Sequence, residues 1–423
     1  MAALNVFLNS IHLGILESLS TGLSFNYTDE WLSRENAFPI SRSLPLREDL
    51  YKGPEVISYF DNLLPDNVSM RQRIALQMGA DSESIFDLLA VIGRDCVGAL
   101  QFISPDLLVK IPNKVISRNI SDKQIAEKLR NLKSIPLANS DEEEIRLSIA
   151  GAQEKTAFLF YNGKWQIPSG STPTTHIFKP KSDHFPDSVE NEWLCSRIVN
   201  AFGVPIANCQ MQQFEDIKVL VVERFDRKWV NDSLIRLPQE DLCQALNIPS
   251  YKKYQSDGGP DIVRIMDLLN ESSRRDQDRD LFMKTQIIYF LLAAIDGHAK
   301  NYSISWSPTG FELTPVYDVL SAQPLVDTGN FQSQKIKMAM SAGDNHHYKV
   351  REILGRHYIQ TAKKCRYHVT LMENLLESIY SRIPDVIEDV GSQLGPDFPM
   401  EVAESIFRGI LARADSLLNS TLR

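Results

Sequence analysis

Between Ile287 and Ile295 the chain is apolar almost without interruption, and with Leu281 and Phe282 upstream its large side chains recur at helical spacing. The stretch falls well short of the roughly 20 residues that span a bilayer, so it predicts a helix buried in a protein core. That helix is predicted to stop at Asp296-Gly297, a turn-forming pair, and His298-Ala-Lys300-Asn301 follows at once. A carboxylate at the mouth of a buried helix's C-terminus is expected to be partly desolvated and to feel the negative end of the helix dipole. Both effects favour accepting a proton. A helix that merely ended in a turn has no need of an imidazole, an ammonium and an amide directly afterwards.

Asp296 and Asn301 lie five positions apart, the separation that in kinase catalytic loops sets a base or positioning carboxylate from an amide that holds Mg²⁺. Asp318 comes 17 residues after Asn301. That is room for a hairpin with strands at 302–306 and 311–313 around the turn Ser307-Pro-Thr-Gly310, which would return a second carboxylate beside the first. The pattern points to phosphoryl transfer from ATP with Mg²⁺. On these residues alone the alternative is two unrelated loop aspartates.

The bulk properties exclude some classes. With 43% hydrophobic residues over 423 positions, the chain has material for two or three domains with ample core. Its net charge of −9 argues against its being the main nucleic-acid-binding surface. Cys96, Cys195, Cys209, Cys243 and Cys365 are odd in number, widely spaced and lack any Cys-x-x-Cys, so neither a disulfide framework nor a zinc site is expected. Met1-Ala-Ala-Leu-Asn5 carries no cationic leader and no apolar stretch suits a membrane, so a soluble cytoplasmic protein is expected.

Organisation falls in three parts. Residues 1–144 form an α+β part, with strand-like runs at 4–8, 23–27 and 97–102 and helical ones at 55–64 and 82–92. The acidic run 141–144 reads as a solvated linker or helix edge. Residues 145–236 are strand-rich, with runs at 145–149, 156–161, 164–167, 175–179 and 219–223 and one helix at 187–202, ended by Gly203 and Pro205. From Pro238, read as a first-turn proline before Glu240 and Asp241, nearly everything to residue 423 reads as helix and contains the catalytic loop. The expected fold class is α+β, a two-lobed kinase-like layout with a mixed sheet and helix N-terminal part and an all-helical C-terminal lobe.

The strand-rich part offers what a nucleotide needs. Lys179 ends a strand, where a fixed cation can pair with phosphates, and the helix at 187–202 offers Glu190 and Glu192 as counter-ions. Glu190 shares a face with Leu194 and Ile198, and Glu192 one with Cys195, Ser196 and Val199, so helical geometry does not choose between them. Ser148-Ile-Ala150-Gly151-Ala152-Gln153-Glu154-Lys155-Thr156 joins two strand-like runs, and its backbone N–H groups suit phosphates. It is not a Walker loop, since Glu154 stands where the second glycine belongs, and an ordinary hairpin turn fits as well. Glu223-Arg224-Phe225 closes a buried strand like a hinge whose backbone meets adenine; the alternative is a strand leaving the sheet. Asp344-Asn-His346-His347 lacks further ligands at zinc spacing and reads as a loop. Residues 251–260 read as a connector that either faces the cleft or links helices.

Together these segments resemble the HipA serine/threonine kinases, toxins of bacterial toxin–antitoxin pairs. The resemblance runs through nearly the whole chain, on Phe60-Asp-Asn-Leu-Leu-Pro-Asp66, Ile92-Gly-Arg-Asp-Cys-Val-Gly98, Ser148 to Thr156, Pro173-Thr-Thr-His176, Glu223-Arg-Phe-Asp-Arg227, Leu237-Pro-Gln-Glu-Asp241, Ser256-Asp-Gly-Gly-Pro260 and Asp296 to Asn301. It implies a fold like that of lipid kinases, with Tyr317-Asp318 in place of the Asp-Phe-Gly of protein kinases. By the resemblance Asp296 is catalytic, and Asn301 and Asp318 hold Mg²⁺. Lys179 and the loop Ala150 to Lys155 bind phosphates, Glu223, Arg224 and Phe225 bind adenine, and His298, Lys300 and Tyr317 belong to the same ATP site. Glu192 is favoured over Glu190 as the partner of Lys179.

The resemblance also implies a protein substrate, glutamyl-tRNA synthetase, whose phosphorylation causes growth arrest and persistence. It implies a HipB-like helix-turn-helix antitoxin that carries most of the contact with operator DNA, and inhibitory autophosphorylation at Ser148. A small-molecule kinase and a catalytically silent co-repressor are the competing readings.

Overall fold

The computed structural model describes residues 2–106, 115–133, 147, 148, 150, 151, 153–182 and 185–418, and the expected linker at 141–144 lies outside them. The chain divides into two compact units. One comprises Met1–Pro180, Gln212–Tyr251 and Ile304–Gly310, and the other Lys181–Met211, Lys252–Ser303 and Phe311–Arg423.

The first unit contains a five-stranded antiparallel sheet in the order Tyr51–Lys52, Gly22–Tyr27, Ile11–Leu19, Ala2–Leu8, Leu100–Ile103. Period-two patterning decides its buried face: Leu4, Val6 and Leu8 alternate inward. They share a core with Phe25 and with Phe60, Leu88 and Leu89 of the helices Pro54–Asp61 and Ile85–Ile92. Both helices begin where the sequence supplies a start, Pro54 in the first turn and Ser84 accepting from the Asp87 amide.

Five strands of a second sheet lie in the order Ile217–Glu223, His176–Pro180, Thr156–Tyr161, Lys164–Pro168, Ser117–Asn119. Phe158 and Phe178 meet edge to face at 4.9 Å, and the helix Asp122–Arg130 closes this core with Ile125, Ala126 and Leu129.

A buried ionic cluster ties the same unit together. Oδ1 of Asp95 accepts from Arg227 at 2.9 Å and Arg236 at 3.1 Å, and Oδ2 accepts from the Thr174 hydroxyl at 2.7 Å and Arg224 at 3.3 Å. Asp226 accepts from Arg224 at 2.8 Å and from the Gly98 N–H at 2.7 Å. Burial alone would raise the Asp95 carboxyl, but the three guanidinium groups outweigh it and hold it far below the usual carboxylate range. The segments 92–98, 173–176 and 223–227 therefore meet in one place, where every buried charge has a partner, as the cost of an unpaired one demands.

The second unit is built on helices Ser188–Ala201, Arg275–Leu292, Gly355–Lys364, Val369–Ser392 and Met400–Leu418. Residues 285–292 are buried throughout, as the apolar run requires. Arg382 donates to the carbonyls of Ala201 at 2.5 Å and Phe202 at 2.9 Å, a cation at a helix C-terminus.

The described residues close with the helices Val369–Ser392 and Met400–Leu418, in line with the expected helical C-terminal part, but Pro238 does not open a helix. Its carbonyl accepts from the Trp306 N–H at 3.2 Å, Gln239–Asp241 is a strand, and the helix begins at Leu242, capped by Asp241 in a capping box with Gln244. Short strands also occur at Ser303–Ser307, Gly310–Leu313, Lys337–Ala342 and His347–Lys349. His346 lies in the turn between the last two, and His347 stacks on His357 with ring centroids 3.8 Å apart. Among the described residues no helix is long and apolar enough to cross a membrane, and the cysteines are buried and form no disulfide.

Candidate active site

The buried helix ends at Leu292, four positions before Asp296. Ala293 takes a left-handed φ of 50°, its N–H donating to the Phe290 carbonyl at 3.0 Å while the Ala294 N–H donates to the Tyr289 carbonyl at 2.8 Å. This is a Schellman close, which satisfies the last carbonyls and turns the chain out of the helix. It corrects the expectation that Asp296 stands at the helix mouth, for the Asp296 side chain is 49% exposed.

From there the loop folds onto its own backbone. The Asp296 carbonyl accepts from the Asn301 side-chain amide at 2.7 Å and from the His298 N–H at 2.8 Å, and the His298 carbonyl accepts from the Asn301 N–H at 2.9 Å. The five-residue spacing therefore sets the Asn301 amide against the residue it was paired with in the sequence. Oδ1 of Asp296 lies 3.5 Å from Nε2 of the buried His298 and accepts the Tyr254 hydroxyl. Gly297 packs on the Tyr289 ring, where an added Cβ would stand 2.5 Å from Cδ2.

The segment carrying Asp318 is fastened to this loop. The Tyr317 hydroxyl donates to the Lys300 carbonyl at 2.9 Å and lies 2.5 Å from the Ser303 hydroxyl. Asp318 itself has a left-handed φ of 62°. Burial pushes the Tyr289 phenol well above its ordinary range, and the nearby Asp318 charge adds to that push. Tyr289 thus lies beside Gly297 and within electrostatic reach of Asp318. Beyond Asp318, Asn191 holds the Ser321 backbone, the Ser321 hydroxyl donates to the Leu292 carbonyl at 2.5 Å, and the Ala322 N–H donates to the Ala293 carbonyl at 3.0 Å.

The structure therefore links Asp296, His298, Lys300, Asn301 and Tyr317 through short contacts within the second unit, and Asp318 follows Tyr317 directly in the chain. The donor set there is an amide oxygen and a carboxylate, hard ligands of the kind Mg²⁺ takes alongside substrate phosphates. Among the described residues no group of three or more His, Cys, Asp or Glu gathers into a metal cage. Glu190 and Glu192, on Ser188–Ala201, are both buried, so burial does not choose between them.

In the first unit, Leu147–Ser148 pairs in parallel with Asp95–Cys96, and Gly151 bridges to Pro65 while its carbonyl accepts from the Asp66 N–H at 3.3 Å. The loop from Ala150 to Lys155 is thus anchored on the segment 60–66. Gln153 donates to the Pro180 carbonyl at 3.3 Å, and Glu154 forms an ion pair with Arg73. Ala152 lies outside the described residues. Lys179 is buried within its strand, paired in register with Leu220. Glu223 is exposed at its strand end, opposite His176, and Phe225 is half-buried. The Arg224 side chain belongs to the Asp95 cluster, its N–H donates to the Thr175 carbonyl at 2.9 Å, and its carbonyl accepts from the Arg227 N–H at 3.2 Å.

Four contributors escaped the sequence reading: Tyr254, Asn191, Arg73 and Asp95. Each acts on a residue far away in the chain, and only the quoted segments around Tyr254 and Asp95 hinted at them.

A family model described as the HipA-like C-terminal domain matches residues 147–387, and one described as the HipA N-terminal domain matches residues 4–103. The chain belongs to the HipA family. Its relatives include a protein of Sinorhizobium fredii named putative kinase Y4mE, 32% identical over 375 residues, 87% of each chain. The serine/threonine-protein kinase toxin HipA of Shewanella oneidensis is 28% identical over 409 residues, 93% of this chain and 90% of that one. A solved Shewanella oneidensis structure, of the toxin–antitoxin system HipA, HipB and its operator DNA complex, matches with a TM-score of 0.84 at 24% identity, covering 98% of this chain and 97% of that one. The HipA fold is thereby shared across both units.

Proposed function

We propose that this HipA-family chain is an ATP-dependent serine/threonine-protein kinase that acts as the toxin of a toxin–antitoxin pair. The observation that carries the reading is the Asn301 amide folded onto the Asp296 carbonyl, on a loop to which Tyr317 fastens the segment bearing Asp318.

In this reading Asp296 orients the acceptor hydroxyl and takes its proton as the hydroxyl oxygen bonds to the γ-phosphorus and the bond to the bridging oxygen breaks, releasing ADP. Asn301 and Asp318 would hold Mg²⁺, which when bound offsets charge on the phosphates. Lys179 and the loop Ala150 to Lys155 contact phosphates, with Glu192 rather than Glu190 orienting Lys179. Glu223 to Phe225 meet adenine through the backbone, and His298, Lys300 and Tyr317 complete the nucleotide contacts. The residue ranges 1–144, 145–236 and 237–423 serve as N-terminal, nucleotide-binding and catalytic parts.

By family resemblance the substrate is a serine of glutamyl-tRNA synthetase in the cytoplasm, Ser148 is autophosphorylated, and a HipB-like antitoxin neutralises the toxin and carries it to operator DNA. The name of the Shewanella oneidensis relative and the complex in which its fold was solved support the kinase and antitoxin parts. Incubation with labelled ATP, alone and then with cell lysate, followed by phosphosite mapping, tests the reading. Label on a lysate protein is expected. Label on a small metabolite would favour a small-molecule kinase, and no turnover a silent co-repressor.

A further inference from the structure

The segment from Lys252 to Pro260 has no role in the reaction as described, yet its backbone is fixed at several points. The Tyr254 carbonyl accepts from the Gly259 N–H at 2.9 Å and the Asp257 N–H at 3.0 Å. Gly259 is packed so closely that an added Cβ would stand 2.3 Å from the Lys252 carbonyl oxygen and 2.7 Å from that of Tyr254. The Gln255 carboxamide accepts from the Ser341 N–H at 2.8 Å and lies 3.0 Å from the Ser341 hydroxyl, and the Lys253 carbonyl accepts from the Ala299 N–H of the loop after Asp296 at 3.4 Å. The Ser256-Asp-Gly-Gly-Pro260 motif thus builds a rigid platform directly beside Asp296.

What the platform presents is Tyr254. Its ring stands edge to face on the buried His298 at 4.8 Å, and its hydroxyl donates to Oδ1 of Asp296. We propose that Tyr254 is a positioning residue for phosphoryl transfer: its phenol fixes the Asp296 carboxylate by one oxygen, so that the exposed remainder of the group faces the acceptor hydroxyl.

The physical need is specific. An Asp side chain turns freely about its terminal torsion, whose energy profile is broad and two-fold. A carboxylate that must lie within hydrogen-bond reach of a reacting hydroxyl loses rate when it wanders, and a misplacement of ~1 Å can cost on the order of 100-fold. Nε2 of His298 stands farther off, 3.5 Å from the same oxygen. A tyrosine placed only to pack on His298 has no reason to aim its hydroxyl at a carboxylate that is half in solvent. The inference rests on the reading of Asp296 as the group that orients the acceptor.

Tyr254→Phe keeps the ring on His298 and removes only the hydroxyl. In the purified full chain with Mg-ATP, with ATP turnover and self-labelling as readouts, kcat is expected to fall about 10- to 100-fold. The KM for ATP and the melting temperature are expected to stay unchanged, a split that a packing role alone would not produce. Asp296→Asn is measured in parallel. If it abolishes transfer while Tyr254→Phe turns over at the wild-type rate, or with only a raised KM, the positioning role is overturned and the kinase reading stands. If Asp296→Asn itself transfers at the wild-type rate, the reading of Asp296 fails and the role of Tyr254 with it.

Discussion

Asn191 and Ser321 grip each other in both directions: the Asn191 side-chain amide donates to the Ser321 carbonyl at 2.9 Å, and the Ser321 N–H donates to Oδ1 of Asn191 at 2.9 Å. Both residues are buried, and they lie on the helix Ser188–Ala201 and on the chain three residues beyond Asp318. A side chain that mimics a backbone pair fixes the path of the Asp318 segment without any help from a strand.

Asn191→Ala should therefore be costly. It leaves a buried N–H and a buried C=O of Ser321 without the partners that Asn191 supplies, a penalty of about 2–6 kcal/mol for the two. Thermal unfolding should show the loss. Phosphoryl transfer should also fall in protein that remains folded, because the Asp318 segment loses its tether. Wild-type melting by Asn191→Ala would mean that the Ser321 contacts to Leu292 and of Ala322 to Ala293 suffice on their own.

The two acids of the site should fail differently. Asp296→Ala and Asp296→Gln are expected to stay folded, since the half-exposed side chain carries little of the core, and to lose phosphoryl transfer and toxicity. Asp318→Ala is expected to lose the dependence of nucleotide binding on Mg²⁺, because one carboxylate ligand is gone. Nucleotide titrations with and without Mg²⁺ check the second. A full metal effect in Asp318→Ala would move the metal to another residue.

How far the sequence carried these assignments depends on distance along the chain. The 296–301 spacing was legible because the Asn301 contact to Asp296 is local, and strand Thr156–Tyr161 and helix Ser188–Ala201 stand close to the expected bounds because local composition marks them, a short apolar and aromatic run for the strand and the stop at Gly203 and Pro205 for the helix. The end of the central helix was misplaced because Ala293-Ala-Ile295 continues an apolar run with no Gly to announce the Schellman close. Pro238 was misread because the pairing of its carbonyl with Trp306, far along the chain, outweighs the local helix signal. Tyr254 with Asp296, Arg73 with Glu154 and Asp95 with Arg227 join segments that only the fold brings together, so no window of sequence contains both partners.

Glu240 gives the stability a pH signature. It is fully buried, and burial pushes its carboxyl up to about 8, against hydrogen bonds from Ser41, the Arg42 N–H and the Trp306 indole that pull it down. The folded chain keeps this proton up to about pH 8, whereas an unfolded glutamate releases it near ~4.3. Between those values the folded state binds more protons, so the contribution of Glu240 is complete in acid and is lost as pH rises, by a few kcal/mol in all. Glu240→Gln keeps an oxygen for Arg42 and Trp306 without a titrating proton. Melting curves should therefore place Glu240→Gln near wild type at pH ~5 and above it at pH ~8. A difference between the two proteins that does not change with pH would rule out a buried protonated Glu240.

Ser148 stands where a covalent switch would act. Its strand pairs with Asp95–Cys96, Cys96 opposite Ser148, and two residues later Ala150 begins the loop proposed to hold the ATP phosphates. A phosphate there adds a charge near −2 beside the triphosphate. Repulsion of only ~1.4 kcal/mol already weakens binding tenfold. Protein phosphorylated at Ser148 is therefore expected to bind ATP at least about tenfold more weakly than unmodified protein, and Ser148→Ala to abolish self-modification during incubation with Mg-ATP. Mass spectrometry and nucleotide titration decide both. Phosphate found solely at other serines would remove Ser148 from the reaction, and a Ser148-phosphorylated chain that binds ATP as tightly as the unmodified one would leave the modification without the proposed effect.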